Sequence, residues 1–179
     1  LVIDGSGSLE QDRSILNIKE DHHPQIINHT HFSGKEVVSA YWFDGSKTFL
    51  IYRFSPSQDL IDNKNSKLLH SIGHYWEWAS LYCCGSRNGA GKVMGLAALG
   101  DKINSNEHDI LTINSYGEIK LDFLKINNLY NEPNIFVSDL SNSKHHQDLA
   151  KRVQLETENV ILKLLNILKK RFPSENLYL

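Results

Sequence analysis

Cysteine is scarce in this chain and a surplus of positive charge is missing. Cys83 and Cys84 are the only two cysteines among 179 residues. Because they are neighbours, a disulfide between them would close a strained ring, so they read as buried thiols in a reducing compartment and not as a staple. Lysine and arginine number 19 against 21 aspartates and glutamates, a formal net charge of −2. No basic excess is available to hold a phosphate backbone along an extended surface, and nucleic acid is not the expected partner. Uncharged, mostly apolar runs such as Val93 to Gly100 fall far short of the roughly 20 residues of a membrane helix. The opening residues lack the basic-then-apolar order of a secretory signal, so the expectation is a cytoplasmic protein with no membrane partner. What is present, 40% hydrophobic and 22% charged residues, suffices for a packed core in one domain or part of one.

Leu1-Val2-Ile3 reads as an apolar strand without a lead-in, and Ser174 to Leu179 as the opening of another, so the expectation is a piece of a longer polypeptide. Residues 9–35 are polar and histidine-rich and read as a loop. Glu36 to Phe43 and Lys47 to Phe54, separated by Asp44-Gly45-Ser46, predict a hairpin. Residues 55–66 read as surface connection. Leu68, Leu69, Ile72, Tyr75, Trp76, Ala79, Tyr82 and Cys83 recur at helical spacing and predict a helix over 68–84. Trp78 faces away from that stripe, towards a neighbouring domain or a cleft. A short buried helix is expected over Val93 to Leu99 with Gly100 as a left-handed cap. A second hairpin turns at Ser115-Tyr116-Gly117, and a long amphipathic helix runs from Leu149 to Phe172, ended by Pro173.

Asp4 follows the first strand and precedes Gly5 and Gly7. A carboxylate there can hold a metal ion while glycine backbone approaches phosphates, or it can bond to its own turn. Gly89-Ala90-Gly91-Lys92 has the look of a phosphate loop but fails the P-loop spacing: Ser86 stands where a glycine is required and Val93 where Ser or Thr is required. A glycine loop feeding a helix N-terminus can still bind an anion through free amides, with Lys92 adding charge, or it can be a connector. His22, His23, His29 and His31 raise the question of a metal, yet their spacing matches no standard site. His145-His146 reads as a polar first turn and Ser71 as an N-cap. No Ser-His-Asp or Cys-His arrangement is visible in the spacing, and the cysteines favour burial over nucleophilic work.

Several segments in order carry a resemblance: Leu1-Val2-Ile3-Asp4-Gly5-Ser6-Gly7, then His70-Ser71-Ile72-Gly73 with Tyr75, then Gly91-Lys92-Val93-Met94-Gly95-Leu96-Ala97-Ala98-Leu99-Gly100. Asp148-Leu149-Ala150 through Gln154 and Glu158, followed by Asn176-Leu177-Tyr178-Leu179, completes the set. Together they resemble the nodulation-protein-type and antibiotic-biosynthesis O-carbamoyltransferases, whose catalytic domain is similar to the tRNA threonylcarbamoyl-adenosine synthase subunit. The Gly-Lys-Val-Met-Gly-Leu-Ala run is the specific element.

The resemblance implies an α/β fold, a fragment of the actin-like, sugar-kinase-like ATPase (ASKHA) fold with a mixed sheet and packed helices. It makes 1–179 a partial catalytic domain, without the family's upstream histidine motif and without its C-terminal carbamoyl-adenylate-forming domain. It implies ATP and a divalent metal, iron, as cofactors. Carbamoyl phosphate and a hydroxyl-bearing small molecule, often a sugar, are the implied substrates. Asp4 matches the metal-binding aspartate, and Gly5, Gly7, Gly89, Gly91 and Lys92 match segments facing the nucleotide. Ala90 stands where the family usually has glutamate and Leu99 where it usually has tyrosine. A non-catalytic nucleotide-binding or interaction module of the same fold and a small-molecule kinase are the alternative readings.

Overall fold

The computed structural model describes residues 2–3, 20–30, 35–56, 58–60, 67–101, 109–130 and 144–174. Among these a four-stranded sheet is built from β1 (Val2–Ile3), β2 (Asp21–Thr30), β3 (Val38–Phe43) and β4 (Thr48–Ser55), in the order β1-β3-β4-β2. β3 is antiparallel to both β1 and β4, while β2 runs parallel to β4, so the sheet is mixed. The expected hairpin is present. Asp44 closes it by accepting the Ser46 and Lys47 amides on Oδ1, each at 2.8 Å, and Gly45 takes φ 98°, a value that glycine adopts without steric cost.

β4 is buried over Leu50–Ser55 on both of its faces, which is why its sequence is a near-continuous apolar run and not an alternation. On one face Ile27, Val38, Ala40, Tyr52 and Phe54 enter the main hydrophobic core. The register slips between Ala40↔Tyr52 and Tyr41↔Leu50, leaving Ile51 as the extra residue of a bulge.

The histidine-rich segment expected to be a loop is strand β2 over residues 21–30. Two features hid it. Pro24 cannot donate to a ladder, and the pairing breaks between His22↔Leu50 and Ile27↔Tyr52, so no clean alternation survives in the sequence. Both features are tolerated because β2 lies at a sheet edge.

A two-stranded ribbon of β5 (Gln58–Leu60) and β6 (Lys67–Leu69) follows, so part of the expected surface connection is strand, and Leu68 and Leu69 are strand and not helix. Helix α1 begins later, at Ile72–Cys84. Ser71 caps it as expected, its Oγ accepting the His74 amide at 3.1 Å. Gly85, φ 65°, ends α1 in the left-handed conformation.

Trp78 does not face a cleft: it is 3% exposed, and its ring stacks on Tyr75 with centroids 5.7 Å apart. α1 is buried at Ile72, Tyr75, Trp78, Ala79, Ser80, Tyr82 and Cys83, a face wider than the stripe that the spacing suggested.

Helix α2 spans Ala90–Ala97, starting three residues before the expected helix and ending two before it. Gly100 is not among the glycines of positive φ, so it is no left-handed cap; its role is close approach to the last helix, described below. Strands β7 (Leu111–Ile113) and β8 (Ile119–Leu121) form the second expected hairpin, and α3 (Phe123–Tyr130), absent from the sequence reading, follows. The long helix α4 spans Lys144–Arg171. His146 in its first turn is buried at 1% exposure and is not part of a polar surface.

α1 and α4 cross in antiparallel fashion, seen in the descending partners along the pair: Tyr75 Oη donates to Glu156 at 2.8 Å, Trp76 Nε1 to Thr157 Oγ1 at 3.0 Å, and Tyr82 Oη meets His145 Nε2 at 2.9 Å. Among the described residues no helix is long and apolar enough to cross a membrane.

Candidate functional site

The Gly-Lys-Val-Met-Gly-Leu-Ala run is the body of α2, and the structure divides its neighbourhood into two jobs. Gly89 is the N-cap and supplies no side-chain acceptor. Its carbonyl takes the amides of Lys92 and Val93 at 2.9 and 3.0 Å. Gly89 is buried, and a Cβ on it would sit 3.1 Å from Cys84 Cβ; glycine here lets α2 start tight against the end of α1. Gly91 is exposed, and a Cβ there would meet nothing within 4 Å. Lys92 is also exposed.

The first turn of α2 therefore presents an open backbone patch beside a cation, at the end of a helix whose dipole is positive. Such a patch fits a phosphate oxygen. Val93 and Ala97, one turn apart, are the buried residues that seat the helix.

His70, next to the cap of α1, is held structurally. Its Nδ1 accepts the Leu121 amide at 3.0 Å and its ring lies 4.6 Å from that of Phe123. The histidines of β2 are likewise engaged in packing. His23 meets Trp42, Phe49 and Phe172 edge-on, with centroids 5.9, 6.5 and 5.0 Å away. His29 Nε2 donates to the Tyr116 carbonyl at 2.8 Å, and His31 lies outside the described residues. Among the described residues no three His, Cys, Asp or Glu side chains converge as metal ligands. Asp4, Gly5 and Gly7 lie outside the described residues.

A charged cluster that the sequence reading missed sits on the other face of the sheet. Arg53, 5% exposed, pairs through Nη2 with Glu20, and its Nε lies 3.5 Å from Glu36 Oε2. Ser39, opposite Arg53 in register and also opposite Val2, donates to Glu36. His22 Nε2 approaches Glu20 at 3.6 Å. The single charged residue in Leu50-Ile51-Tyr52-Arg53-Phe54 was the available signal, since an arginine is rarely buried unless paired. Its partners come from other segments and could not be read from spacing.

Cys83 is the buried thiol that was expected, while Cys84 is only half-buried. Burial pushes the Cys83 thiol up to about 12, and burial also raises Cys84, against the opposing pull of Lys92. Because the thiolate is the reactive species, alkylation of the native protein at pH 8 is expected to leave Cys83 unmodified and to modify it only on unfolding. Peptide mapping after iodoacetamide treatment checks this, and rapid native labelling of Cys83 would contradict it.

Comparison with curated proteins gives no match. The family model described as carbamoyltransferase N-terminus matches residues 26–179, a span that includes β3, β4, the four helices among the described residues and the α2 run. On that match, and with an α/β architecture of mixed sheet and packed helices, the chain belongs to the carbamoyltransferase N-terminal domain family.

Proposed function

We propose that the chain is part of the catalytic domain of an O-carbamoyltransferase, a partial domain of the actin-like ATPase fold over 1–179. The family match over residues 26–179 carries this reading, and the antiparallel β1-β3-β4 unit with helices packed behind it is compatible with that fold. The donor in this proposal is carbamoyl-adenylate, formed from carbamoyl phosphate and ATP in a C-terminal domain of the same polypeptide. The acceptor is a hydroxyl-bearing small molecule.

The transfer step balances as follows. The acceptor oxygen bonds to the carbamoyl carbon, the bond from that carbon to the adenylate phosphate oxygen breaks, AMP leaves with the electron pair, and the hydroxyl proton passes to a base or to water. Negative charge grows on the phosphate as AMP departs. The start of α2, with Gly91 open, Lys92 exposed beside it and the positive end of the helix dipole, is suited to stabilise that charge, because a fixed dipole needs no reorganisation as the reaction proceeds. Gly89 contributes shape, holding the turn against α1. Gly5 and Gly7 are proposed as the second glycine loop and Asp4 as a ligand to iron, both on the resemblance alone. Among the described residues no three such ligands converge to complete the site.

Gly91→Val tests the assignment cleanly. The position is open and helical, so the fold should tolerate the side chain, while the branched group fills the space a phosphate would occupy. ATP affinity at this site, read in the full-length protein separately from the adenylate-forming site of the C-terminal domain, is expected to weaken by about tenfold or more with Tm unchanged or slightly raised. Unchanged affinity in the folded variant would make the loop a connector and the run a packing signature.

A further inference from the structure

α2 is poorly equipped to hold its own position. Its eight residues make a rod of about 12 Å, too short to be stable alone. Two of them, Gly91 and Gly95, each favour the helix less than alanine would by about 1 kcal/mol. Gly91, Lys92, Met94 and Gly95 are exposed, and only Val93 and Ala97 are buried. The far end is secured differently. The Asp101 amide, four residues past the end of α2, donates to Asp148 Oδ1 at 2.8 Å. Lys144 Nζ lies 2.6 Å from the same Oδ1 and 2.7 Å from Asp101 Oδ2. Between them, Gly100 lies directly against the backbone of Gln147.

These contacts all come from the start of α4, which begins at Lys144. We propose that Asp148, bridged by Lys144, is a positioning residue that latches the chain leaving α2 onto α4 and thereby sets where the opposite end of α2 presents Gly91 and Lys92. The consequence for nucleotide rests on the reading of α2 given above; the latch itself does not.

The physical basis is leverage. A short helix seated through Val93, Leu96 and Ala97 against α1 and α4 moves as a rigid rod, so releasing one end shifts the other, and misplacement of about 1 Å at a phosphate-facing amide is enough to lower affinity and rate. Asp148 touches no reacting atom in this scheme. Its carboxylate acts through the Asp101 backbone.

The test uses the full-length protein with Asp148→Ala, Asp148→Asn and Gly91→Val. Amide hydrogen exchange over Val93–Ala97 is compared with exchange over Tyr75–Tyr82 of α1, and ATP affinity is measured for the binding step that Gly91→Val weakens. With Asp148→Ala, exchange in α2 is expected to quicken by about tenfold while α1 is unchanged, and ATP binding to weaken by about threefold to tenfold. Asp148→Asn keeps an Oδ1 acceptor for the Asp101 amide and should restore most of both. Unchanged exchange in α2 would overturn the latch. Faster exchange with wild-type ATP affinity would overturn the positioning role. If Gly91→Val does not alter ATP binding, the nucleotide reading of α2 fails and the positioning role with it, and the latch then stands or falls on the exchange data.

Discussion

Replacing Glu156 by alanine is expected to destabilise the protein by about 4 kcal/mol and to lower Tm by roughly 12 °C. Glu156 is 5% exposed and joins three elements at one carboxylate. Its Oε2 accepts from Tyr75 Oη at 2.8 Å, the Ile110 amide at 3.1 Å and the Leu111 amide at 2.9 Å, while Oε1 accepts from Arg152 Nε at 2.6 Å. Helix α1, the start of the β7-β8 hairpin and α4 thus share one acceptor. Truncation leaves two buried amides and a buried phenol without it, each costing about 1–3 kcal/mol if unsatisfied, and removes the ion pair with Arg152. Burial and the Glu156 carboxylate together hold the Tyr75 phenol protonated well above its ordinary range, so the tyrosine is the donor in its bond to the carboxylate. Glu156→Gln retains one carbonyl acceptor and is expected to cost about half as much. Thermal melts and urea titrations of the two variants check the order; equal, small losses for both would mean that the carboxylate is not the joint between the three elements.

Gly100→Ala is expected to cost about 3 kcal/mol, near the upper end for overpacking. A Cβ at Gly100 would overlap the Gln147 carbonyl oxygen and lie 2.6 Å from its carbon and 2.7 Å from Lys151 Cβ. The obstacle is helix backbone, which cannot swing aside as a side-chain tip can, so α2 and α4 must separate. Gly91→Ala is the control, since it has open space and a helical backbone and should stabilise by about 0.5–1 kcal/mol. Melting both variants gives opposite signs if the glycines serve the purposes assigned to them. A neutral Gly100→Ala would show that the α2-α4 junction can yield.

Local chemistry was legible in the sequence wherever a residue acts on its own neighbours. Ser71 as an N-cap and Asp44-Gly45-Ser46 and Ser115-Tyr116-Gly117 as turns all bond within a few residues of themselves, and the period of α4 marks its buried face whatever packs on it. Features set by distant partners were not legible. Strand β2 exists because β4 lends it a parallel edge, despite Pro24 and a broken register. Gly100 looked like a helix cap and is in fact a contact with a helix that begins 44 residues later, at Lys144. At the candidate site, the run from Gly91 was visible through its resemblance, but the division between Gly89, buried against Cys84, and Gly91, open, depends on packing between α1 and α2. The Arg53 pairings with Glu20 and Glu36 are likewise long-range.

The central claim is that this domain transfers a carbamoyl group and that the start of α2 faces the departing nucleotide. The most direct measurement follows radiolabelled carbamoyl phosphate with ATP in the full-length protein and Gly91→Val, scoring pyrophosphate release and label in a panel of sugar and other hydroxyl acceptors separately. The account predicts labelled carbamate ester with the wild type, and about tenfold less with Gly91→Val while pyrophosphate release continues. Equal transfer by the two proteins, or pyrophosphate release with no labelled ester from any acceptor, would contradict it.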